Sequence, residues 1–98
     1  MRIICNLFQN NANFIPKVFG GIDTENILAT ISANVTYTST QDCWVVGQIG
    51  GNDYAYLNDI QIAHTYSNDS IFICVPLKKR QTFKHTAGIT FNVFGIKY

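Results

Sequence analysis

The sequence predicts an all-β domain: an antiparallel β-sandwich or jelly roll of seven or eight short strands. Three observations carry that prediction. Clusters of Gly, Asn, Asp, Ser and Lys interrupt the chain about every 8–12 residues, the turn spacing of sandwiches and barrels. Between the clusters, apolar residues alternate with polar ones or fill runs of four to eight residues. Asn58-Asp59 separates two such runs by two residues, and Asn and Asp tolerate positive φ better than other side chains, so Tyr54 to Ala63 is a tight hairpin. At 98 residues the chain is long enough for a single core.

Taken in order, Arg2 to Phe8 reads as an edge strand and residues 9 to 28 as an irregular arm, punctuated by Pro16 and Gly20-Gly21. A single helical turn over Asp23-Thr24-Glu25-Asn26 is compatible with the pattern. The arm (1–28) therefore precedes a domain over 29–98. From Ala29 to Thr38, Ile31, Ala33, Val35 and Tyr37 alternate with polar residues, which predicts one strand with one buried face. Cys43 to Ile49 and Ser70 to Leu77 are apolar on both faces. Antiparallel sandwich strands usually keep one wet face, so a second chain against the other face is the economical expectation. Pro76 places its segment at an edge or a strand end. Gln81 to Thr86 and Ile89 to Tyr98 complete the strands.

In the hairpin, strict alternation pairs Leu57 with Ile60, Tyr56 with Gln61, Ala55 with Ile62 and Tyr54 with Ala63. It assigns Ala55, Leu57, Ile60 and Ile62 to the core, with His64 in the same alternation. Tyr54, Tyr56, Gln61 and Ala63 form the other face. That face, with Tyr66, Asn52, Asp53 and Asn68 in the flanking loops and Trp44 on a neighbouring segment, is the candidate ligand surface. Aromatic rings stack on sugar rings while amides bond hydroxyls, and the same tyrosines equally suit a subunit interface.

Composition narrows the function classes. Charged residues make up 13% and the formal net charge is +1, which provides no basic field for nucleic acid. No apolar run approaches the ~20 residues of a membrane-spanning helix, so no membrane insertion is expected. Cys5, Cys43 and Cys74 are odd in number and lack CxxC spacing, and they read as three buried thiols. Every carboxylate falls in a turn or in the arm, no serine sits in a nucleophile elbow, and His64 and His85 lack metal-ligand spacing. No catalytic residue, metal site or cofactor is expected.

One progression carries more. Thr36-Tyr37-Thr38-Ser39-Thr40-Gln41-Asp42-Cys43 runs into Val45-Val46-Gly47. The Tyr-x-Asn-x-x-x-Ile hairpin at Tyr56 to Ile62 follows, then Val75-Pro76-Leu77-Lys78-Lys79-Arg80-Gln81-Thr82, and the chain closes on Val93-Phe94-Gly95-Ile96-Lys97. Over residues 29 to 98 this resembles the C-terminal tip domains of bacteriophage tail fibre and virion fibre proteins. The resemblance implies a compact antiparallel fold, a homotrimer, a place on the virion after synthesis in a bacterial cytoplasm, and contact with a host-surface receptor or glycan. The alternatives are a monomeric carbohydrate-binding or adhesion module and a capsid decoration protein without ligand. Asp59 and Arg80 stand where the resembling sequences have turn glycines. A non-glycine residue at positive φ costs about 1–2 kcal/mol, so both positions are expected either to carry strain or to use another turn type.

Overall fold

A computed structural model of the chain describes residues 2–3 and 20–98. The predicted strand beyond Ile3 and the arm up to residue 19 lie outside the described residues. The rest is all-β, with no helix among the described residues. The strands are β1 (Arg2–Ile3), β2 (Gly21–Ile31), β3 (Tyr37–Thr38), β4 (Cys43–Gly50), β5 (Tyr54–Leu57), β6 (Ile60–His64), β7 (Ser70–Leu77), β8 (Thr82–His85) and β9 (Phe91–Lys97). They form two antiparallel four-stranded sheets, ordered β7-β4-β9-β2 and β3-β8-β5-β6. The two-residue β1 adds to β7 in parallel.

Both sheets contribute to one core. Val45, Ile49, Ile73, Val75, Phe91 and Val93 come from the first sheet, and Ala55 and Phe83 from the second. Phe91 joins the layers: its ring lies 5.0 Å from Phe83 and 4.6 Å from His85, both on β8. Gly47 makes room for it, because a Cβ there would sit 2.5 Å from the Phe91 ring. Burying these side chains is the main favourable term, each large one contributing about 1.5–3 kcal/mol before entropy is counted.

β4 and β7 pair without a break over eight residues, from Cys43 opposite Leu77 to Gly50 opposite Ser70. As expected, they are apolar on both faces. Cys43, Val45 and Ile49 enter the main core, while Trp44 and Cys74 anchor a second cluster with Ile22, Val46, Phe72 and Ile96. Trp44 and Cys74 are fully buried within the single chain, while Ile22, Val46, Phe72 and Ile96 of the same cluster are only partly buried. The thiol reading holds only in part. Cys43 is free and buried, whereas Cys74 is disulfide-bonded, and Cys5 lies outside the described residues.

Two expectations about the early chain are corrected. Gly21–Ile31 is a strand paired with β9, not arm or helical turn, and it runs across the expected boundary at residues 28 and 29. Its register shifts between Asp23 and Ile27 and again before Ala29, which admits the polar stretch that breaks simple alternation. The strand expected over Ala29–Thr38 is also divided. Asn34 takes φ 63° and donates its backbone N–H to His85 O at 2.7 Å. Here the chain leaves the first sheet and enters the second as β3, and Val35 is half exposed rather than core. Sandwich corners are commonly made by such a bend, and Asn is among the few residues that accept it cheaply.

Candidate functional site

The Asn58-Asp59 turn forms as the sequence requires. Both residues have positive φ, 50° and 64°, the signature of a two-residue hairpin turn. Asn58 is further tied to β8, its N–H donating to Thr82 O and its Oδ1 accepting from Thr82 N–H, each at 2.9 Å. Leu57 faces Ile60 and Tyr56 faces Gln61, as expected.

Beyond that point the register slips by one residue. Ala55 faces Ala63 and Tyr54 faces His64, so Ile62 is the extra residue of a β-bulge. The consequence is a reassignment of faces. Ala63 packs on the core, His64 swings to the aromatic side, and Ile60 and Ile62 are 67% and 37% exposed rather than buried. β6 is the edge strand of its sheet, and Ile60 sits at its tip, mostly exposed.

The bulge completes a row of rings. Tyr56 and Tyr54 are stacked with centroids 6.3 Å apart and planes 20° apart. Tyr54 and His64 are stacked at 4.3 Å and 4°. His64 and Tyr66 follow at 4.5 Å, tilted by 51°. Tyr54, Tyr56 and His64 are half-buried with one side accessible, and Tyr66 is exposed. Tyr56 lies between Gln61 on β6 and Lys84 on β8. The row thus carries an amide and an ammonium group at one end.

The two loops at the other end are brought together. Gly51 N–H donates to Asp69 O at 3.4 Å, and Thr65 N–H to Asp53 O at 2.9 Å. Asn52 and Asn68 are exposed there, Asn52 at φ 58°. Two of the expected ligand residues do not take part. Trp44 is fully buried and its indole N–H donates to Gly20 O at 2.7 Å, so it lies on the far side of the first sheet. Asp53 is also fully buried. Its Oδ1 accepts from Tyr54 N, Thr86 N, Thr86 Oγ1 and Ala87 N at 2.8, 3.0, 2.7 and 2.7 Å, and its Oδ2 has no partner among the described residues. Its work is structural: it fastens the start of β5 to the end of β8.

His64 and Lys84 are the residues that sequence reasoning missed. Lys84 was legible, since Thr82 and Lys84 alternate with Phe83 and His85. His64 was not, because nothing in Ile60 to His64 marks the bulge. His85 is buried with Nε2 3.0 Å from Ile31 O and Nδ1 3.4 Å from Ala87 O. Among the described residues, no group of three His, Cys, Asp or Glu side chains is arranged to hold a metal ion.

Comparison with protein-family models, curated proteins and solved structures finds no match for this chain.

Proposed function

We propose that this β-sandwich is a non-catalytic attachment module that engages a host-surface receptor or glycan through the row Tyr56–Tyr54–His64–Tyr66. The carrying observation is that row: four rings in succession on an accessible sheet face, with Gln61 and Lys84 beside the first. Rings stacked on one another cover part of each other's faces, so the row offers rigid ring edges with their polar groups, and the tilted, exposed Tyr66 offers a ring face at its end. That combination, presented at low entropic cost, suits sugars and protein hot spots alike. The likeness of residues 29–98 to phage fibre tips supports a place on a virion, in a homotrimer with a jelly-roll-like tip. The Cys74 disulfide supports a working site outside a reducing cytoplasm.

The test is binding to glycan arrays and to bacterial cells by the wild type, Tyr54→Ala and Tyr66→Ala, with thermal unfolding as the folding control. Loss of binding in both folded variants is expected. Binding that survives both removes the row from the function. Light scattering separates the trimer from the alternative of a monomeric adhesion module.

A further inference from the structure

We infer a second binding site, a cleft of about 430 Å³ at the junction of β2, β9 and two turns, built to take a neutral, hydroxyl-rich ligand, a saccharide unit. It goes beyond the attachment reading, and none of its lining residues belongs to the aromatic row. Its volume lies within the range of ~300–1,000 Å³ found for ligand pockets.

The lining comes from four separated stretches of chain. Thr40, Gln41 and Asp42 lie in the turn between β3 and β4, and Lys79 in the turn between β7 and β8. Ile96 and Tyr98 close β9, and Asn26 comes from the irregular part of β2. The two turns are locked together before any ligand arrives. Ser39 N–H donates to Gln81 O at 2.9 Å, Arg80 N–H to Ser39 O at 3.0 Å, and Lys79 N–H to Asp42 Oδ1 at 2.9 Å. A rim fixed by backbone bonds gives up little entropy on binding. Gly95 opens the space beneath Asn26: a Cβ there would collide with the Asn26 amide nitrogen and lie 3.2 Å from its Cγ.

The chemistry of the lining selects the ligand class. Lys79 and Asp42 are the charged side chains of the lining, one of each sign, so their formal charges cancel and the cleft holds no excess charge of its side chains to select a phosphate or a cation. A metal ion is disfavoured as well, with one carboxylate present and no ligating cluster among the described residues. What remains is a set of donors and acceptors of both kinds, two amides, a hydroxyl and a carboxylate, beside the exposed Tyr98 ring and Ile96. Hydroxyls that donate and accept at once, on a ring with an apolar face, satisfy that set.

Chemical-shift titration of isotope-labelled protein tests this, using methyl glycosides of neutral hexoses, pentoses and N-acetylhexosamines, with inorganic phosphate as the comparison. Saturable shifts at Asn26, Thr40 to Asp42, Lys79 and Ile96 to Tyr98 are expected with at least one glycoside. Tyr98→Ala should weaken that binding roughly tenfold, Gly95→Ala should also weaken it by displacing Asn26, and Tyr54→Ala should leave it unchanged. The inference is overturned if no glycoside shifts these amides, if phosphate shifts them more strongly, or if the only shifts fall on Tyr54, Tyr56, His64 and Tyr66. That last result would leave the attachment reading standing alone.

Discussion

Replacing Asp53 with alanine removes the acceptor that fastens β5 to the chain leaving β8. The consequence can be worked donor by donor. Ala87 N–H loses its partner outright. Thr86 N–H keeps Tyr54 O at 3.1 Å, and Tyr54 N–H keeps Thr86 Oγ1 at 2.9 Å. One orphaned, part-buried donor costs about 1–3 kcal/mol, and weakening three bonds to a charged acceptor adds a comparable amount. Removing a buried carboxylate whose Oδ2 is unpartnered returns part of that loss. The net expectation is about 3 kcal/mol, or a fall of roughly 12–24 °C in Tm for a domain of this size. Asp53→Asn keeps an acceptor at Oδ1 but places an amide nitrogen where Oδ2 has no partner, so it should cost about 1–2 kcal/mol. Urea unfolding of the three proteins gives the ordering wild type, Asn, Ala. An alanine variant within about 0.5 kcal/mol of wild type, or an asparagine variant less stable than the alanine one, refutes the accounting.

Other outcomes follow from positions already described. Arg80 holds φ 76° without the local bonds that ease Asn and Asp into that region. Arg80→Gly should therefore stabilise by about 0.5 kcal/mol, the relief of strain less the added freedom of the unfolded chain, while Asp59→Gly should gain less. Equal losses in both variants, measured by urea midpoint, would contradict this. Gly47→Ala forces a methyl group into the Phe91 ring and should cost about 1–3 kcal/mol, a neutral result arguing against the packing at the sheet junction. Burial, aided by the Asp42 charge, pushes the Cys43 thiol from 9.0 up to about 11. The unfolded thiol ionises first, so its contribution is intact below pH 9 and declines as pH rises toward 11. Wild type should lose stability more steeply than Cys43→Ala across that window, and parallel slopes would remove Cys43 from the effect.

The parts of the fold legible in the sequence were those set by local chemistry. Asn58-Asp59 announced a two-residue turn because few residue pairs accept positive φ twice. The runs around Val45 and Val75 announced strands apolar on both faces because composition alone determines that. What stayed hidden depended on distant partners. The bulge at Ile62 is a property of the ladder between β5 and β6, and it moved His64 to the surface and Ala63 to the core. Asp53 looked like an ordinary turn carboxylate, since its four donors arrive mostly from residues 86 and 87. The burial of Trp44 and the disulfide of Cys74 are likewise matters of tertiary neighbours. The candidate site was therefore half legible: Tyr54, Tyr56, Gln61 and Tyr66 stood out by type and alternation, and the residue that joins them did not.

The bulge has a further consequence, for solubility. A sandwich has open edges, and an open edge is a template on which another chain can add a strand. β2 guards its edge with Asp23, Glu25 and two register shifts. β6, with Ile60, Gln61, Ile62, Ala63 and His64, carries no acidic, lysine or arginine side chain, and its irregular backbone at Ile62 is its chief protection. Deleting Ile62 would straighten that edge and leave an uncharged, apolar strand ready to pair with its own kind. The same extra residue that brings His64 into the row of rings is thus expected to hinder edge-to-edge pairing of β6 in concentrated protein.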